Sequence, residues 1–137
     1  MTDASPGLNL LLVEDEALVA MLVEDALTLH GHTVVGIANT LDMALDIAAR
    51  ERPDLALCDV QLALGDDGVA VARALAERGI PSLFLSGTCP DAGAHALIVG
   101  CIAKPFYNAG LGDAVNAGYA ISRGEAPAHL PPMLTLY

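Results

Sequence analysis

Tryptophan is absent from the 137-residue sequence and aromatic residues make up only 4% of it. The core must therefore come from Leu, Val, Ile and Ala packed closely, which suits a parallel sheet covered by helices. Hydrophobic residues at 54% are ample for one such domain. Cations are scarce as well: six Lys and Arg stand against 17 Asp and Glu, a formal net charge of −11. Such a surface repels phosphate backbones and anionic lipid, so neither nucleic acid nor a membrane is expected as a partner, whereas a bound metal cation is favoured. The three cysteines, Cys58, Cys89 and Cys101, form no CxxC pair, so zinc binding and dithiol chemistry are not indicated and reduced thiols in a cytoplasmic protein are expected. The apolar run from Leu8 to Val13 is too short for a signal-peptide core. Gly79 to Ala103, the least charged stretch, is broken by Pro81, Pro90, Asp91, Gly93 and His95 and lacks the ~20 apolar residues of a membrane span.

What is present is alternation. Leu8–Val13 reads as a strand, and Glu16–His30 as a helix placing Leu18, Leu22, Ala26 and Leu29 inward. Gly31 stops that helix, and Thr33–Ala38 is β-branched enough for a second strand. Thr40 caps a helix to about Glu51, ended by Pro53. Asp54–Cys58 is a third strand, followed by a loop in which Asp66 or Asp67 caps a helix reaching Gly79. Pro81–Leu85 is a fourth strand, Pro90 to about Ile98 a short helix, and Val99–Ala103 a fifth strand. A last helix from about Tyr107 to Ser122 turns Leu111, Ala114, Val115, Gly118 and Ile121 inward.

Five βα units predict an α/β, flavodoxin-like, doubly wound parallel sheet with strand order 2-1-3-4-5. Residues 1–7 are then an N-terminal extension, 8–122 the domain, and 123–137 a Pro-rich tail. The tail is read as frayed or lying across its own domain, with docking or dimer swapping as the sharper alternative. Ligands of such sheets sit beyond the carboxyl ends of the strands. Those ends carry Glu14-Asp15, Asp59, Ser86 and Lys104. Three carboxylates on one rim repel unless a cation lies between them, and oxygen ligands with room for water suit Mg²⁺. Carboxylate, divalent cation, ammonium and hydroxyl together are what phosphoryl transfer needs.

At these positions the sequence resembles the receiver domains of two-component response regulators. The pieces are Leu-Val-Glu14-Asp15-Glu16, Leu-Cys-Asp59-Val-Gln61, Phe-Leu-Ser86-Gly87 and Ala-Lys104-Pro105-Phe106, in order at the ends of the right strands. The resemblance implies that Asp59 accepts a phosphoryl group from a sensor histidine kinase or phosphotransfer protein. It further implies Mg²⁺ on Glu14, Asp15, Asp59 and the Gln61 backbone carbonyl, Lys104 paired with the phosphoryl group, and Ser86 swinging toward it. A cis peptide before Pro105, Gln61 and Thr88 as positions that tune water access, and any homodimer through a helix 4–strand 5–helix 5 face are implied in the same way. The aromatic usual three residues before the lysine is here Cys101. Phe84-Leu85-Ser86-Gly87-Thr88 resembles the Phe-Ala-Thr-Gly stretch of an alphaproteobacterial subclass that serves in general stress signalling.

The expected role is a stand-alone phosphorylation switch, not an enzyme, acting on a downstream protein target or relaying phosphate. The alternatives are a Mg²⁺-dependent aspartyl phosphohydrolase, which would need a second Asp where Gln61 stands, and a phosphorylation-independent adaptor. A flavin binder is opposed by Val-Glu-Asp-Glu where a phosphate cradle would be needed. His30, His32, His95 and His129 show no metal spacing.

Overall fold

The computed structural model describes residues 7–62, 67–91, 95–104 and 108–137. In chain order the elements are β1 (Asn9–Val13), α1 (Ala17–Leu29), β2 (Thr33–Ala38), α2 (Leu41–Glu51), β3 (Leu55–Asp59), α3 (Gly68–Ala76), β4 (Ser82–Ser86), β5 (Ile98–Ala103), α4 (Asn108–Ser122) and β6 (Leu134–Leu136). The sheet runs β2-β1-β3-β4-β5-β6, parallel through β5 and antiparallel at β6. The expected strand order thus holds, with one strand added from the tail.

Side-chain alternation along the buried strands divides the interior into two cores. Leu10, Leu12, Leu55, Leu57, Leu83 and Leu85 meet α1 and α4 on one face of the sheet. Leu11, Val13, Ala56, Cys58, Phe84 and Cys101 meet α2 and α3 on the other. Capping follows the sequence: the Thr40 hydroxyl accepts the Met43 N–H at 3.2 Å, and the Asp67 carboxylate accepts the Val69 N–H at 2.9 Å. Asp66 lies outside the described residues.

Among the helices the structure departs from the sequence reading in two places. Helix α1 buries Ala20, Val23, Ala26 and Leu27, so of the expected inward set only Ala26 is inside, while Leu18, Leu22 and Leu29 are exposed. The helix is apolar around most of its circumference, so periodicity alone left its phase open. Small Ala20 and Ala26 beside Val23 let the helix approach the sheet closely, which a Leu stripe would not. The helix expected over Pro90–Ile98 is not seen either: residues 90, 91 and 95–97 are turn or irregular backbone, and β5 starts at Ile98. Residues 92–94 lie outside the description.

The tail returns to the sheet. Gly100, Cys101 and Ile102 pair with Leu136, Thr135 and Leu134, so β6 covers the edge of β5. Leu134 is buried in the α1/α4 core, and Met133 packs against it. The close approach requires a glycine, because a Cβ at Gly100 would stand 2.6 Å from the Thr135 carbonyl oxygen. The variant Gly100→Val is therefore expected to detach β6 and to destabilise the domain by about 1–3 kcal/mol through overpacking. Faster hydrogen exchange at the Tyr137 amide and a lower denaturation midpoint are the measurements.

Candidate functional site

Adjacent strands hold the rim together through main-chain bonds. Glu14 N–H donates to Ala38 O at 2.9 Å, Val60 N–H to Leu85 O at 3.1 Å and Lys104 N–H to Ser86 O at 2.8 Å. With the β1–β3 register, in which Val13 lies beside Cys58, these bonds bring the carboxyl ends of β1, β3, β4 and β5 level. Helix α3 approaches closely behind Asp59, where Gly68 leaves room for the Asp59 carbonyl that any Cβ would fill.

Asp59 is held at both oxygens. Its Oδ1 accepts the Gln61 N–H at 2.9 Å and its Oδ2 accepts the Lys104 ammonium at 2.9 Å. Lys104 is the only lysine in the sequence, and its Nζ also lies 3.5 Å from Glu14 Oε1. Burial works against the ammonium, but the Asp59 hydrogen bond and the Glu14 and Asp59 charges outweigh it, so Lys104 is held above its ordinary pKa. Glu14 is the converse case: burial raises its carboxyl above the ordinary value despite the Glu16 N–H on Oε2 at 3.2 Å and the Lys104 charge.

Glu14, Asp15 and Asp59 each offer an oxygen, all within 4.8 Å of one another. Glu14 and Asp59 are buried and Asp15 is half-buried. Glu14 Oε1 is buried without a hydrogen bond and forms an ion pair with Lys104 at 3.5 Å. A buried carboxylate oxygen with no hydrogen bond, facing two further carboxylates, is a donor set that fits a hard divalent cation. Gln61, also expected to contribute, follows Asp59 by two residues and bridges to Asp67.

Of the expected residues, the structure thus brings Glu14, Asp15, Asp59 and Lys104 together. Ser86 ends β4 on the same rim, but its hydroxyl donates to the Thr88 carbonyl at 2.7 Å and accepts the Thr88 N–H at 3.1 Å, closing its own turn. Thr88 is exposed. Pro105 lies outside the described residues. Cys58 faces the α2/α3 core, and burial pushes its thiol up to about 12. A separate cavity of about 620 Å³, lined among others by Leu8, Asp54, Asp113, Tyr119 and His129, lies toward the opposite end of the sheet.

Two features were not legible in the sequence. Cys89 and Cys101 form a disulfide, against the expectation of reduced thiols. The spacing carried no motif, and only the pairing of β5 beside β4 brings the residue after Thr88 over Cys101. Tyr137 is the other feature. Its ring meets Phe84 edge-on at 6.2 Å and its hydroxyl donates to the Pro90 carbonyl at 2.7 Å. A tail aromatic therefore reaches the neighbourhood in which strand β5 carries Cys101.

Similarity to known proteins bears on this arrangement. The chain is 33% identical over 123 residues to the phyllosphere-induced regulator PhyR of Methylorubrum extorquens, covering 82% of this chain and 44% of that one. It is 31% identical over 129 residues to the transcriptional regulatory protein PdtaR of Mycobacterium tuberculosis, covering 88% and 60%. It thus spans about half the length of these relatives. Among solved structures, SdrG from Sphingomonas melonis superposes with a TM-score of 0.67 at 34% identity, covering 84% of this chain and 98% of that one. PhyR from Brucella abortus superposes at 0.65 and 32% identity, covering 85% and 47%. The response regulator receiver domain model matches residues 10–116, a span that contains Glu14, Asp15, Asp59, Ser86 and Lys104, and the chain belongs to that family.

Proposed function

We propose that this receiver domain is a phosphorylation switch: Asp59 takes a phosphoryl group from a phosphohistidine of a sensor kinase or phosphotransfer protein. The observation that carries this reading is the Asp59 carboxylate, fixed by the Gln61 N–H and the Lys104 ammonium beside two further carboxylates. Glu14, Asp15, Asp59 and the Gln61 carbonyl would hold Mg²⁺, which when bound offsets negative charge on the phosphoryl oxygens. An Asp59 oxygen attacks phosphorus in line, the bond to the donor imidazole nitrogen breaks, and the imidazole leaves with the electron pair. Lys104 can then transfer its contact from the carboxylate to a phosphoryl oxygen. Ser86 must give up the Thr88 carbonyl to reach the same group.

Gln61 stands two residues after Asp59, where its amide has no acidic proton to give. This supports a switch over an aspartyl phosphohydrolase turning over phosphate esters. Output then runs through protein contact or phosphate relay. Among the described residues no helix is long and apolar enough to cross a membrane. Solved relatives include a PhyR from Bartonella quintana titled an anti-anti-sigma factor, which fits the stress-signalling subclass that Phe84–Thr88 resembles. The chain covers 47% of that protein.

The donor's docking face is assigned to α1. Leu18, Met21 and Leu22 are 67%, 59% and 50% exposed and follow directly on the Glu14-Asp15 rim, with Leu29 at 85% extending the stripe. An apolar helical stripe of this kind suits a partner helix. The face expected for a homodimer, between the Pro90–Ile98 segment, β5 and α4, is a weaker candidate, since the described residues of that segment are not helical and the β5 edge already carries β6.

Three outcomes are expected. With Mg²⁺ and a small phosphoryl donor, intact mass should show one added phosphoryl group on wild type and none on Asp59→Asn; an adduct on the variant would reject Asp59 as acceptor. Mg²⁺ at 100 times its Kd should stabilise wild type by about 2.7 kcal/mol, read as a higher midpoint in thermal melts, and Asp15→Asn should lose most of that gain. Met21→Glu should slow phosphoryl transfer from a phosphohistidine donor protein about tenfold, the effect of losing one warm contact, and leave uptake from the small donor unchanged.

A further inference from the structure

The loop leaving β4 is fastened to the far edge of the sheet at two points. Half-buried Cys89 is joined to fully buried Cys101 by a disulfide, with Cα atoms 5.9 Å apart. One residue on, the Pro90 carbonyl accepts the Tyr137 hydroxyl at 2.7 Å, and Tyr137 N–H donates to Val99 O at 3.1 Å. Between Cys89 and the rim residue Ser86 lie only Gly87 and Thr88, in the turn closed by the Ser86 hydroxyl. A swing of Ser86 toward a group on Asp59 must open that turn, and a covalent tie on the residue after Thr88 opposes it. Cys101 is also the third residue before Lys104, so the tie runs to the strand that carries the ammonium.

We propose that Cys89 and Cys101 are an oxidation site that locks this loop, so that the bridged form takes up phosphate on Asp59 less readily than the dithiol form. The consequence for Asp59 rests on the receiver reading above; the lock itself does not. The oxidant class is a peroxide. The Cys89 thiolate, on the more accessible sulfur, attacks one peroxide oxygen; the O–O bond breaks, one oxygen leaves as water, and a sulfenic acid stays on Cys89. Cys101 sulfur then attacks the sulfenic sulfur, the S–S bond forms, and the hydroxide leaves as a second water with the Cys101 proton. Two thiols lose two electrons and two protons, and one peroxide becomes two waters. A dithiol reductant reverses the reaction by exchange at the Cys89 sulfur. Cys58, the free buried thiol, takes no part.

The test uses the full chain, reduced with a dithiol and then treated with hydrogen peroxide. Maleimide labelling after denaturation should count three thiols in the reduced protein and one, Cys58, after peroxide. Cys89→Ser should keep both of its thiols through the same treatment. Without any phosphoryl donor, amide hydrogen exchange at residues 87–91 should be at least about fivefold slower in the bridged form, the lower end of coupling between linked sites. With Mg²⁺ and a small phosphoryl donor, reduced wild type and Cys89→Ser should both gain the Asp59 adduct at least about fivefold faster than the bridged form. Three thiols surviving peroxide, or equal loop exchange in both forms, overturns the lock. Equal phosphorylation rates overturn the gate and leave the receiver reading standing. Altered loop exchange with no adduct on any form supports the lock and overturns the phosphoacceptor reading of Asp59 together with the gate.

Discussion

The carboxyl end of the sheet is organised by the repulsion among Glu14, Asp15 and Asp59, whose oxygens gather within 4.8 Å in a chain of net charge −11. Like charges of this kind, two of them buried, persist only if something offsets them. Lys104 does so in part, contacting Asp59 at 2.9 Å and Glu14 at 3.5 Å. Glu14 Oε1 is still without a hydrogen bond, and burial raises the Glu14 carboxyl. One ammonium is thus shared between Asp59 and Glu14, with the Asp15 carboxylate beside them.

The rest of the molecule holds those four side chains level. Main-chain bonds from Glu14, Val60 and Lys104 to the neighbouring strands fix the heights of the strand ends, and small residues let the helices press close behind them. Gly68 meets the Asp59 carbonyl, and Gly118 of α4 sits over Leu83, where a Cβ would come within 2.7 Å. A core of Leu, Ala and Val tolerates such near approach.

Around the loop after β4 the chain departs from the commoner receiver pattern. Where an aromatic is usual on the fifth strand there is Cys101, bonded to Cys89, and the ring in that neighbourhood comes from Tyr137 of the tail. The β4 loop is thus tied both to β5 and to β6. Movement of Ser86, the rim residue whose hydroxyl is engaged in its own turn, is linked mechanically to the covalent state of two cysteines and to the seating of the C-terminal strand.

Much of this was legible in the amino-acid order. Short apolar runs alternating with helical periods pointed to the parallel sheet, because parallel strands need long crossover connections, usually helical, and the flavodoxin-like topology supplied the expected order. Glu14, Asp15, Asp59 and Lys104 could be placed on one rim because each follows the last apolar residues of a strand. What local pattern could not supply were relations between distant segments. The phase of α1 was undetermined because Leu18, Met21, Leu22 and Leu29 are as apolar as the Ala20, Val23 and Leu27 face that is buried; fit against the sheet chose between them. The Cys89–Cys101 bridge and the Tyr137 contact depend on which strands become neighbours. The pairing of β6 with β5 depends on a glycine at residue 100 leaving room for a backbone 35 positions away, a distance in space that periodicity along the chain does not encode.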